Sequence, residues 1–150
     1  MPGSKSRLAH HTAKYGGKMA KSTVFTDTVH IYDTDAQGIV HYAGYYRFFT
    51  DATEKFMREV IGIKYPLLNE NIWFVVVESN AVYKKPARLG ETLTVTVTPE
   101  MLSKKALKFN FEISGIAGAI CSGYITQVSI DRRKWHAVEM PAEVVQKLSK

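Results

Sequence analysis

Hydrophobic and polar residues alternate along four stretches in the second half of the chain, 73–84, 92–98, 106–114 and 119–130. In "ETLTVTVTP", Leu93, Val95 and Val97 fall on one side and Thr92, Thr94, Thr96 and Thr98 on the other. In "ALKFNFEIS", Leu107, Phe109, Phe111 and Ile113 alternate with Lys108, Asn110 and Glu112. A period of two sends successive side chains to opposite faces, so both stretches predict half-buried strands with one wet face. Ser114 and Gly115 offer a tight turn, and Pro86 with Gly90 brackets another connection, which implies an antiparallel meander. The rows "TLTVTVT" and "YITQVSI" are the expected sheet edges, open to pairing with a second copy.

The first half changes period. Residues 24–32 predict one more strand and "DTDAQG" a loop, after which Tyr45, Phe49, Ala52, Phe56 and Val60 recur at spacings of three and four. Phe48 widens this stripe, while Arg47, Lys55, Arg58 and Glu59 lie off it, so the spacing predicts an amphipathic helix. Its start falls near His41 or Tyr42 and Gly62 ends it. Residues 65–71, with Pro66, predict a short helical or irregular link. A helix this aromatic over so much of its circumference needs a sheet curved around it. The predicted class is α+β, an antiparallel sheet wrapped around one long helix.

Composition adds limits. At 150 residues the chain suits a single self-sufficient core, and no apolar run approaches the ~18 residues of a membrane span. The one cysteine, Cys121, cannot form an internal disulfide and is expected to be small packing, and no signal-peptide pattern precedes the domain. A cytoplasmic location is the expectation. The net charge of +6 resides largely in residues 1–22, where Lys5, Arg7, Lys14, Lys18 and Lys21 face no acid, leaving 15 basic and 14 acidic residues in the remainder. Residues 1–22 therefore read as a flexible basic extension and 23–150 as the domain. With the excess charge confined to that arm, nucleic acid is not an expected partner. No phosphate-binding glycine loop, CxxC or HExxH occurs, which removes the commonest nucleotide, redox and zinc readings.

The candidate chemistry lies where loop meets helix. Asp33 and Asp35 precede the helix, and Gly38 lets the backbone bend sharply or approach a ligand. The first free N–H groups of the helix and the positive end of its dipole point back at that turn. A carbonyl oxygen placed there would develop negative charge beside waiting donors, while a carboxylate attacks its carbon or activates a water. That is acyl transfer. The same pair of acids also suits Asx turns or a helix cap, and Asp33 in particular is expected to hold the turn. His41 is a further candidate for proton transfer. A metal bound by His30, Asp33, Asp35 and His41 lacks a tight ligand spacing, so no metal is expected.

The stretch "YDTDAQGIVHYAGYYRFF" resembles the signature of the 4-hydroxybenzoyl-CoA thioesterase-like family of hotdog-fold acyl-CoA thioesterases, and "KKPARLGETL", "CSGYITQVSID" and "MPAEVV" continue the similarity over roughly residues 23–145. The resemblance implies a five- or six-stranded sheet, dimers and often tetramers. It implies Asp35 as the catalytic carboxylate and the Tyr42 backbone N–H as the group polarising the thioester carbonyl. No separate cofactor is implied, coenzyme A being part of the substrate. The chain departs from many members at His41 and Tyr42, whose order is reversed, and at Gly44, Thr50 and Asp51, which bears on acyl specificity. Gly38 and Tyr45 are candidates for substrate contact. Lys84 and Arg88 on one loop and Lys104 and Lys105 on another are candidates for the CoA phosphates. The expected activity is hydrolysis of a short-chain or aromatic acyl-CoA. A hotdog enoyl-CoA hydratase and a non-catalytic acyl-CoA-binding module are the alternatives.

Overall fold

A computed structural model describes residues 18–150. Strands β1 (Lys18–Met19), β2 (Thr23–Thr28), β3 (Ile72–Tyr83), β4 (Thr92–Ser103), β5 (Ala106–Gly115), β6 (Gly118–Asp131) and β7 (His136–Ala137) form one antiparallel sheet. The order β3-β6-β5-β4 leads to β2 and β1, which lie end to end along β4, while the short β7 adds to β6. The long helix opens with a 3-10 turn at Tyr42–Gly44, continues as α1 (Tyr45–Phe56) and closes with a π turn at Met57–Ile61. A second helix, α2 (Ala142–Leu148), buries Val144 and Leu148, and its Lys147 donates to the Ile61 carbonyl at 3.0 Å, where a cation suits a helix C-terminus.

The sheet curls because the aromatic stripe must be covered along its length. Phe48 and Phe49 are fully buried; the Phe49 ring stacks on Phe111 with centroids 4.4 Å apart, and Phe56 meets Phe109 edge-on. Burying each such ring contributes on the order of 3 kcal/mol. Gly123, opposite Phe111 on β6, makes the curl possible: a Cβ there would overlap the Asn80 carbonyl and stand 3.0 Å from the Phe49 ring.

The structure differs from the sequence reading at several points. The strand expected over 24–32 stops at Thr28, and Ile31–Asp33 form a 3-10 turn that leaves Ile31 and Tyr32 exposed. Val60 leaves the buried stripe and is half exposed, because the wider π turn rotates the last residues and buries Met57 and Ile61 instead. Of the two forms expected for 65–71, the link takes the irregular one, with Leu67 paired to Trp73 in a short return. β4 continues past Thr98 through Pro99 to Ser103. The Pro99 carbonyl accepts the Ala20 N–H at 2.9 Å, so its missing donor faces the gap between β1 and β2, where a proline is tolerated.

Lys108, expected on a wet face, is 1% exposed: its ammonium lies 3.9 Å from the centroid of the Tyr124 ring, and burial holds its pKa below the ordinary value against the pull of Glu100 and Glu78. The rows expected at the sheet edges, in β4 and β6, are internal, each flanked by partners on both sides, and the long open edge is β3. The flexible extension expected over 1–22 lies outside the described residues as far as residue 17. Lys18 and Met19 pair with Met101 and Glu100, so the sheet begins before Thr23. Among the described residues no helix is long and apolar enough to cross a membrane.

Candidate active site

The connection from β2 to α1 is a folded loop. Thr34 pairs with Val40, closing a small hairpin in which the Asp35 N–H donates to the Ile39 carbonyl at 2.9 Å and the Gly38 N–H to the Asp35 carbonyl at 3.1 Å. Gly38 takes φ +76°, a left-handed conformation that glycine adopts without steric cost. The Asp35 side chain is exposed; its Oδ1 accepts the Gln37 N–H at 2.8 Å. The turn thus uses one carboxylate oxygen and leaves Oδ2 for a substrate or water.

The helix start completes the arrangement. His41 caps it, its Nδ1 accepting the Ala43 N–H at 3.2 Å, which puts the proton of a neutral imidazole on Nε2. Tyr42 opens the 3-10 turn, so its N–H has no acceptor within the helix. The Tyr83 hydroxyl donates to the Tyr42 carbonyl at 2.7 Å and the Tyr45 hydroxyl accepts the Ala87 N–H at 3.2 Å, tying this start to β3 and to the loop before β4. Burial pushes the Tyr45 phenol above its ordinary pKa, which keeps it neutral.

A cleft of about 410 Å³ lies over these groups, lined by Asp35, His41, Tyr42 and Tyr45 on one side and by Tyr83, Lys84, Lys85 and Pro86 on the other. Asp35, His41, Tyr42, Tyr45 and Lys84 therefore line one cleft. Gly38 shapes the loop but does not line the cleft, and neither does Arg88, although it pairs with Ile39, which does. Lys104 and Lys105 stand at the β4–β5 turn, at the opposite end of β4, where Lys104 accepts the Met140 N–H on its carbonyl. Within one subunit they do not reach the cleft, because β4 runs its whole length between the two patches. Lys85, next to Lys84, also lines the cleft, its ammonium donating to the Ala117 carbonyl. Cys121 is buried and its thiol is pushed up to about 11 by that burial, so it is packing rather than a nucleophile.

Asp33 faces away from this chemistry. Its side chain is 2% exposed and accepts from Arg47 Nε at 2.8 Å, Arg47 Nη2 at 2.6 Å and the His30 N–H at 2.8 Å. Burial alone would push its carboxyl up, but these hydrogen bonds and the Arg47 charge hold it below the usual carboxylate range. Bound this way, Asp33 is not available as a metal ligand. Its contribution to stability is fully present above the unfolded value, about 3.9, and is lost as the pH falls through the lower folded value. Asp33→Asn is therefore expected to cost about 2 kcal/mol at neutral pH and to reduce turnover less than a change at Asp35. Thermal melts of both proteins check this: the gap in Tm should shrink between pH 4 and pH 2, and a constant gap contradicts it.

A curved antiparallel sheet around one helix, with a carboxylate and an open helix N-terminus sharing a cleft, defines the hotdog class of acyl-thioester enzymes. The chain belongs to the thioesterase-like superfamily, whose sequence profile matches residues 29–148. It is 27% identical over 127 residues to the acyl-CoA thioester hydrolase YbgC of Escherichia coli O157:H7, covering 83% of this chain and 95% of that one. It is 24% identical over 126 residues to the 1,4-dihydroxy-2-naphthoyl-CoA hydrolase of Nostoc punctiforme, covering 83% and 85%. The crystal structure of a hypothetical protein from Aquifex aeolicus superposes with a TM-score of 0.76 at 27% identity, over 84% of this chain and 98% of that one. The fold and enzyme class implied by the sequence resemblance, hotdog and thioester hydrolase, stand.

Proposed function

We propose that the protein hydrolyses a short-chain or aromatic acyl-CoA to the free acid and CoA. The observation that carries this reading is the shared cleft wall formed by the Asp35 carboxylate and the unused Tyr42 N–H. The thioester carbonyl oxygen sits at Tyr42, where the helix N-terminus favours developing negative charge. Asp35 adds to the carbonyl carbon, or removes a proton from the water that does, and the carbonyl electrons move onto the oxygen. Collapse breaks the carbon–sulfur bond, and CoA leaves as a thiolate, which needs no strong acid because its thiol pKa is near 8.5. In the nucleophilic course, water then hydrolyses the acyl-aspartyl anhydride. His41, with Nδ1 engaged in the cap, offers Nε2 to the leaving group or to water.

Tyr42, Tyr45, Tyr83, Ile39 and Val40 give the cleft an aromatic and aliphatic wall suited to a compact acyl group, and Lys84 and Lys85 supply charge for CoA phosphates. The names of the relatives from Escherichia coli and Nostoc support an acyl-CoA substrate. A panel of short-chain, branched and aromatic acyl-CoA thioesters, followed by free-thiol release, tests the proposal. Thiol release on at least one member is expected; binding without release would make the protein an acyl-CoA-binding module instead.

The active unit is a dimer paired through β3. Among the described residues nothing pairs with the outer edge of β3 beyond Phe74, and Val76 and Val77 on that strand are 53% and 60% exposed. A long, open, apolar edge is a template for antiparallel pairing across a two-fold axis.

A further inference from the structure

Arg47 lies off the apolar stripe, yet its guanidinium is more fully engaged than any surface ion pair requires. Nε and Nη2 grip both oxygens of Asp33 in a fork; Nη1 reaches Asp51 at 2.7 Å and Asp27 at 3.1 Å; Nη2 also donates to the Thr28 carbonyl at 3.0 Å. Its Cζ lies 4.2 Å from the centroid of the Phe48 ring. Three carboxylates exceed what neutralising one cation needs. Their common property is location: Asp27 and Thr28 end β2, Asp33 closes the following 3-10 turn, and Asp51 is one turn further along α1.

Asp33 passes that grip on. Its backbone carbonyl accepts the His41 N–H at 3.0 Å and lies 3.1 Å from the place where a Cβ on Gly44 would stand. His41 immediately precedes Tyr42, and Asp33 is separated from Asp35 by Thr34 alone. One residue, held through its side chain by Arg47, therefore anchors both the loop that presents the carboxylate and the helix start that presents the N–H. A misplacement of about 1 Å between reacting groups can cost on the order of a hundredfold in rate.

We propose that Arg47 is a positioning residue for the acyl-transfer site, setting the separation of the Asp35 carboxylate from the Tyr42 N–H through Asp33; this rests on the reading of those two groups as the reacting pair. Arg47 does not line the cleft and its hydrogen bonds go to Asp27, Thr28, Asp33 and Asp51, none of which lines it, so its effect falls on the chemical step rather than on CoA binding. The fork requires a planar guanidinium, and a lysine ammonium, a single point charge, cannot span Asp33, Asp27 and Asp51 at once.

The test compares wild type, Arg47→Lys, Arg47→Met and the double variant Arg47→Met with Asp33→Asn. Arg47→Lys should lose at least about tenfold in kcat with KM changed by less than about threefold. The double variant removes the most buried carboxylate charge, that of Asp33, together with its cation, and leaves Asp27 and Asp51, which reach more solvent, so its Tm should recover most of the loss seen in Arg47→Met alone while kcat stays at least about tenfold down. Amide hydrogen exchange gives a readout independent of turnover: the His41 amide should exchange at least about tenfold faster in Arg47→Lys, with β5 amides unchanged. A double variant that regains both Tm and kcat makes the clamp merely structural and overturns the proposal. Unaltered His41 exchange in folded Arg47→Lys also overturns it. If wild type releases no thiol across the substrate panel, the functional reading fails, and His41 exchange alone then decides whether Arg47 holds the loop.

Discussion

Asp35→Asn is expected to lower kcat for acyl-CoA hydrolysis by at least about a hundredfold, the usual lower range for loss of a group that donates electrons or accepts a proton in the rate-limiting step. The fold should survive, because Asp35 is exposed and an asparagine oxygen can still accept the Gln37 N–H that shapes the loop. KM should change little, since neither Lys84 nor Lys85 depends on the carboxylate. Single-turnover thiol release, measured beside a thermal melt of the same preparation, checks this. A folded variant that hydrolyses at near the wild-type rate would remove Asp35 from the mechanism and leave water activation to His41.

The second large effect is expected from breaking the β3 edge. Val77 stands at an irregularity in the pairing of β3 with β6, between Val76 and Glu78, and is the most exposed valine of the strand. Val77→Lys places a charge where a second copy would add its own strand, a change that blocks edge pairing. Wild type should sediment as a dimer or larger assembly across a hundredfold dilution. The variant should sediment as a monomer with activity reduced at least about tenfold, since Tyr83 on the same strand lines the cleft and holds the Tyr42 carbonyl. A stable wild-type monomer with full activity would rule out both the assembly and its link to the site.

Much of this architecture was legible in the chain, because alternation and helical spacing report which side of an element is apolar. The five long strands and the helix fall close to their expected places. What escaped has physical causes. Val60 fits the helical stripe by spacing, but a π turn changes the angular step per residue, and no local composition announces it. Lys108 reads as wet because alternation reports polarity rather than contact with water. Lys104 and Lys105 were candidates for CoA phosphates on charge alone, and charge says nothing about which end of a strand it occupies.

That Asp35 and Tyr42 lie close together was legible in the sequence, since both belong to one contiguous stretch at the helix terminus. Tyr83 and Lys85 come from the end of β3 and the loop after it, so folding had to bring them in. Arg47 carried a signal that periodicity discarded: a lone guanidinium within "YYRFF", four residues before Asp51. An arginine set among large aromatics has a high desolvation cost unless acids meet it, and three did.

The proline within β4 has a consequence for fidelity of assembly. "TLTVTVT" looks nearly the same after sliding by two residues, and a repetitive ribbon of this kind specifies its neighbour's alignment weakly. β2, with its own threonines and valine, would find almost equivalent partners one step along. Sliding it toward Pro99 sets a strand amide carbonyl against a residue with no N–H to give, while Asp27, fastened to Arg47, would be pulled from its anchor. The two together act as end stops, so that a low-information strand locks at a single setting and delivers the loop bearing Asp35 to the same place each time the chain folds.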